Sequence, residues 1–370
     1  MTDYDLSVNF GSIRLKHPII ADSAGYALSP SGLKRLLKAG ASAVITKSCT
    51  WEPLPSFPRS WDQSPVPRCY WDDVTLPGPA STTMDGTEAL VNPGYKRMAE
   101  YVREVKPLAE ELGAHLIGSF SPRSPQEAAE MAREYERAGA SGVHLDLVCS
   151  TAAGFRGKQI GRDYDKLGKW WSVGGPERAL EAMKAAKDAV DIPVCPKAYF
   201  FQWAREKPES IRMIEERTRI DALSINTYSI PNTARIDIYR GKPVTYPRFD
   251  NLEEALVPLT VGNTLALAKV ASRPILTSGG LTTAHNAIEL TMAGATLLGF
   301  CRSIYKDIRV IEKAVEGIEA YMASQALESL DEIRGIALKH PIRFPDGLSP
   351  EHEEQVIRMS SGTMSKQIGA

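Results

Sequence analysis

The amino-acid sequence predicts an α/β protein built as one closed (β/α)8 barrel, with long loops after its second, fourth and sixth strands. Short apolar runs alternate with helical-period stretches eight times between residues 18 and 323. Each run is a continuous Val/Ile/Leu stretch rather than an alternating one, which suits a parallel sheet covered on both faces. Eight strand–helix units are the count that closes a barrel. An open doubly wound sheet is expected to carry a Gly-x-Gly-x-x-Gly turn after its first strand, and no such turn occurs in the sequence.

In order, the strands are predicted at residues 18–21, 43–46, 115–119, 142–148, 194–198, 222–225, 274–277 and 296–300. The helices fall at 31–39, 95–112, 125–138, 176–190, 209–217, 261–270, 284–293 and 307–323, where apolar residues recur three or four apart and so define one buried face. Three connections are too long for simple loops. Residues 48–93 are proline-rich and hold Trp51, Trp61 and Trp71. Residues 149–174 place Gly154, Gly157 and Gly161 among Arg156, Lys158, Arg162 and Lys166, and 226–258 hold Tyr228, Tyr239 and Tyr246. All three follow strand C-termini, the end on which barrels build sites, and are read as a substrate cover. Residues 1–323 form the barrel in this reading, and 324–370 a helical extension with a polar tail.

Composition narrows the function. The 370 residues carry 44 basic and 45 acidic side chains, a net charge of -1, without the basic excess of a nucleic-acid surface. No apolar run is long enough for a membrane span, and the N-terminal residues have no signal-peptide pattern. A cytoplasmic setting is the expectation. The five cysteines, at 49, 69, 149, 195 and 301, form no Cys-x-x-Cys pair. They therefore predict no disulfide framework and no metal or cluster site, so iron–sulfur chemistry would belong to a partner.

The strand ends carry the chemistry. The first strand runs into Ser23-Ala24-Gly25, the second into Lys47-Ser48-Cys49 and the third into Ser119. The fourth contains Asp146 and ends at Cys149, the fifth carries Lys197, and the sixth runs into Asn226. Gly279-Gly280 follow the seventh strand and Cys301-Arg302-Ser303 the eighth, where barrels commonly hold a phosphate on backbone N–H groups. Lys47 and Lys197 aimed into one mouth are costly to desolvate unless an anion pairs with them. That argument predicts an anionic ring or enolate-like ligand.

These residues, taken in order, resemble the dihydroorotate dehydrogenase family and, within that likeness, the pyrimidine-reducing flavin domain of dihydropyrimidine dehydrogenase. The resemblance rests on Ala24-Gly25, residues 39–48 (AGASAVITKS), 144–157 (HLDLVCSTAAGFRG), 196–200 (PKAYF), 225–227 (INT) and 274–304, and spans about residues 5–320. It implies a TIM-barrel flavoprotein, an oxidoreductase on CH–CH donors that uses FMN and forms a homodimer. Ala24, Gly25, Lys47, Ser48, Ser119, Lys197 and Asn226 would line the flavin and ribityl chain. Gly279, Gly280, Cys301, Arg302 and Ser303 would hold the phosphate. Lys47 and Lys197 would tune the cofactor, and Cys149 would act as the acid/base. Asn92, Asp146, Asn226 and Thr227 would contact the substrate.

The sequence departs from the family at the fourth strand. The family's Asn-x-Ser-Cys-Pro pattern reads Asp146-Leu147-Val148-Cys149-Ser150 here, followed by Thr151. An acceptor-only carboxylate replaces an amide that both donates and accepts. The expectation is a small cyclic substrate with a carbonyl beside the reacting bond, other than dihydroorotate or uracil. The electron partner is left open. Two other readings are a flavin-free phosphate-binding lyase or isomerase using Lys197 as a Schiff base, and a protein that holds FMN without turnover.

Overall fold

In a computed structural model, residues 4–53, 92–148, 175–226, 234–237, 242–245 and 252–340 are described. The chain opens with a hairpin of β1 (Val8–Phe10) and β2 (Ile13–Leu15). The barrel then alternates β3 (Ile19–Ala21), α1 (Pro30–Lys38), β4 (Ala43–Ile45), α2 (Tyr95–Glu111), β5 (His115–Phe120), α3 (Pro125–Arg137), β6 (Gly142–Asp146), α4 (Gly175–Lys187) and β7 (Val194–Lys197). It continues with α5 (Phe200–Glu206), α6 (Pro208–Thr218), β8 (Leu223–Asn226), a hairpin of β9 (Ala234–Asp237) and β10 (Lys242–Thr245), and α7 (Leu252–Ala268). It closes with β11 (Ile275–Ser278), α8 (Ala284–Met292), β12 (Leu297–Phe300), α9 (Arg302–Lys306) and α10 (Val310–Gln325). The eight parallel strands form a closed barrel in the order β3-β4-β5-β6-β7-β8-β11-β12, with β12 pairing back onto β3.

All eight predicted strands are present within two residues of their expected limits. The N-terminal hairpin, the β9–β10 hairpin and the short helices α5 and α9 were not anticipated. Each is too short to show a helical or strand period in sequence. The sixth helix was expected from residue 261, but α7 begins at Leu252 and contains Pro258. The last helix continues to Gln325, and the chain then turns through Leu330–Glu332 and Ile336–Lys339. There Leu330 and Ile333 bury against the barrel, and Asp5 bridges to Ser329.

Strand parity explains how the barrel is filled. Side chains two apart share a face. Ile20, Ala43, Ile45, Ile117, Cys195, Ala222, Leu276 and Leu297 point inward and pack with Val8, Phe10 and Leu15 of the hairpin. Phe10 is wholly buried against Gly142, where a Cβ would approach its ring to 3.0 Å. The hairpin therefore plugs the N-terminal end with apolar side chains. Outward-facing residues such as Val44, Val143, Leu145 and Ile225 join the larger core under the helices. Among the described residues no helix is long and apolar enough to cross a membrane.

Candidate active site

Two residues beyond the apolar inward layer, each strand delivers its next inward side chain to the C-terminal mouth, and here they are mostly polar. Lys47 follows Ala43 and Ile45, Ser119 follows Ile117, Lys197 follows Cys195, Ser224 follows Ala222, and Ser278 follows Leu276. On β6, His144 and Asp146 both face inward. Every one of these is buried.

They are bonded into one network. Lys197 Nζ lies 2.7 Å from Asp146 Oδ2. The same carboxylate oxygen accepts from Ser48 Oγ at 3.0 Å, while Asp146 Oδ1 accepts from the backbone N–H of Val148 at 3.1 Å. Ser48 Oγ lies 2.8 Å from Ser119 Oγ, Ser119 Oγ lies 3.1 Å from His144 Nδ1, and His144 Nε2 lies 3.1 Å from Ser224 Oγ. An ionised carboxylate can only accept, so one arrangement gives every link a proton. Ser224 donates to His144 Nε2, His144 Nδ1–H donates to Ser119, Ser119 donates to Ser48, and Ser48 donates to Asp146. Burial and the Lys197 charge hold the His144 imidazole neutral, with its pKa lowered to about 4.

Neighbouring strand ends lock onto this network. Ser23 Oγ accepts from the Ser48 N–H at 2.9 Å, and the Lys47 N–H donates to Ala27 O in the turn that starts at Ala24 and Gly25. The Tyr26 hydroxyl in that turn donates to Asp22 O and Phe300 O, tying the ends of β3 and β12 together. On the other side of the mouth Gly279 and Gly280 adopt φ of 121° and 84°, conformations that favour glycine. Thr260 Oγ1 holds Gly279 in place by donating to its carbonyl. Arg302 is half-buried at the start of α9.

Several expectations change in detail. The anion expected to satisfy both lysines is, for Lys197, the protein's own Asp146. Lys47, 9 % exposed, makes no ion pair with the described residues. Ser303 donates its hydroxyl to Leu281 O at 2.8 Å, so its side chain ties α9 to the loop after β11. Asn92 accepts through Oδ1 from Thr50 N–H, Thr50 Oγ1 and Gly94 N–H, which commits that oxygen to the crossing of two loops. Asn226 ends β8, in register with Ser278. Cys301 is a neutral thiol, pushed up to about 12 by burial and by Asp22, and Cys49 is pushed up to about 12 by burial. Burial raises the Cys195 thiol as well. The remaining residues, Cys149 and Thr227, lie outside the described residues. His144 and Ser224 went unread in the sequence. Strand parity was the available signal, since His144 stands two residues before Asp146 on the same face.

The donor set suits a flavin mononucleotide: backbone N–H groups of two positive-φ glycines with an arginine on one side, and on the other Lys47, a cation that forms no ion pair with the described residues. Fold and site together define a (β/α)8 barrel with a charged polar layer at its mouth. No protein-family model matches the chain. It is similar to the catalytic subunit of dihydroorotate dehydrogenase B (NAD(+)) of Pyrococcus abyssi, with 29 % identity over 90 % of this chain and 99 % of that protein. The corresponding subunits of Pyrococcus furiosus and Methanothermobacter thermautotrophicus share 28 % and 27 % identity over 90 % of the chain, covering 99 % and 98 % of their own lengths. Over nine-tenths of its length the chain thus resembles dihydroorotate dehydrogenase catalytic subunits.

Proposed function

We propose that the protein is an FMN-dependent oxidoreductase acting on a C–C or C=C bond beside a carbonyl in a small, cyclic substrate. The observation that carries this reading is the mouth itself, which sets Lys47 and the Asp146–Lys197 pair opposite Gly279, Gly280 and Arg302. Bound FMN would supply hydride exchange with the substrate carbon. Gly279, Gly280 and the Ser303 backbone would bind the phosphate with Arg302, and Ala24, Gly25, Ser48 and Ser119 would wall the ring. Lys47 would face the edge on which negative charge develops, where a preorganised cation is worth most.

Asn226 and Thr227 would orient the substrate, and Cys149 would move the proton at the carbon adjacent to the hydride site. Asp146, with both oxygens engaged by protein donors, leaves no amide to read a pyrimidine edge. That supports a substrate other than dihydroorotate. The relatives' name carries NAD(+) and a catalytic-subunit designation. This chain has no dinucleotide fingerprint, so we place the electron carrier outside it, together with a homodimeric, cytoplasmic assembly. A Schiff-base mechanism is disfavoured because Lys197 is spent in an ion pair, whereas such an amine must be free and neutral.

The visible spectrum of the purified protein tests this directly. A flavin band, with FMN released on denaturation, is the expected result. A colourless protein that takes up no added FMN would overturn the reading.

A further inference from the structure

We propose that Asp146 is a positioning residue that cancels the charge of Lys197 beside the flavin, leaving Lys47 to stabilise the reduced cofactor. The inference rests on the FMN reading above and extends it to the potential of the bound cofactor.

The two residues are direct register partners on adjacent parallel strands, Asp146 on β6 and Lys197 on β7. Their 2.7 Å contact is sealed, with side-chain exposures of 1 % and 6 %. At such burial the pair is weakly screened, and the carboxylate is pinned by Ser48 Oγ and the Val148 N–H so that it cannot swing away. An asparagine here would keep the shape of the side chain and its acceptor toward Val148 but carry no charge. Lys197 would then present a full positive charge to whatever occupies the mouth. Lys47 sits next to Ser48 with no internal counter-ion among the described residues. Asp22, a second buried carboxylate just past β3, faces His144 and Cys301 in the same mouth, so removing the Asp146 charge raises the net positive charge of the mouth by one. A bound flavin gains negative charge on reduction, and each cation that faces it favours the reduced form. Asp146 thus lowers the reduction potential of the bound cofactor through Lys197.

The test is a charge-neutralisation cycle on the FMN-loaded protein, read as the midpoint potential by equilibrium reduction alongside a dye of known potential. Asp146→Asn is expected to shift the two-electron equilibrium about tenfold toward reduced flavin, ~30 mV upward. Lys197→Met, which strands the carboxylate, is expected to shift it about as far downward. The double variant should return close to wild type. A merely structural pair would move both single variants in the same direction or neither, and that result would overturn the proposal. If Asp146→Asn does not fold, Lys197→Met decides alone, and an unchanged or raised potential rejects the role. A wild-type protein that binds no FMN defeats the functional reading and this inference together. FMN bound with an Asp146→Asn potential at or below wild type defeats only this inference.

Discussion

Asp146 Oδ2 and Lys197 Nζ meet at 2.7 Å because the β6–β7 register sets their Cα atoms side by side, two residues above the apolar layer that fills the barrel. From the carboxylate the hydrogen bonds lead through Ser48, Ser119 and His144 to Ser224, itself the register partner of Lys197.

Removing one member of this pair leaves a buried charge without a partner, which costs about 3–5 kcal/mol, whereas removing both costs far less. Asp146→Ala and Lys197→Met should each lower the urea midpoint strongly. The combined change should be much milder than the sum of the two. Additive losses in denaturant titrations would show that the two side chains do not act as a unit.

His144 should be a neutral Nδ1–H tautomer in the folded protein, since the carboxylate sets the direction of every donor in the chain. Nitrogen-15 shifts of the ring would show one pyrrole-like δ nitrogen and one pyridine-like ε nitrogen at pH 7. The opposite tautomer would mean that Asp146 does not orient the network.

The same imidazole makes stability depend on pH. Its folded pKa of about 4 lies below the unfolded value of about 6.5, so between these values the unfolded chain binds a proton that the folded chain refuses. Its stabilising contribution is complete above pH 6.5 and is lost as pH falls toward 4, on the order of 3 kcal/mol in all. His144→Asn should be less stable than wild type at pH 7.5 and should lose less on acidification. Parallel stability profiles for the two proteins would refute the assignment.

Gly118 lets Tyr135 of α3 press onto β5. A Cβ there would lie 2.3 Å from the Tyr135 ring, which stacks on Phe120 and donates its hydroxyl to Ser119 O. Gly118→Ala should destabilise the fold by about 1–3 kcal/mol through overpacking, visible as a lower thermal midpoint. An unchanged midpoint would mean that the ring moves aside at no cost.

Gly279 tests the proposed phosphate contact. At φ 121° a side chain is strained, and Gly279→Val should reduce FMN affinity at least ~10-fold by displacing the backbone donors. Arg302→Ala should weaken binding to a similar degree while leaving the far-UV spectrum intact. Wild-type FMN affinity in both variants would remove the phosphate from this edge of the barrel.

Much of the architecture is local and was readable in sequence. Each strand is a short buried run bounded by its own helix, so its limits depend on a handful of neighbouring residues. Lys47, Lys197, Gly279, Gly280 and Arg302 were legible for the same reason, because a residue just past a strand end must sit at the barrel mouth. Which of those side chains meet is a different kind of fact. Asp146 and Lys197 are 51 positions apart in sequence and touch only because barrel closure sets the stagger of β6 against β7. The His144 chain crosses four strands and needs every register at once, and the hairpin plug depends on where the open end of the barrel lies. Periodicity along a chain carries no information about stagger between chains of residues. The elements and the residues at their mouth ends therefore followed from sequence, while the pairing of charges and the direction of the hydrogen-bond chain were set by closure of the sheet.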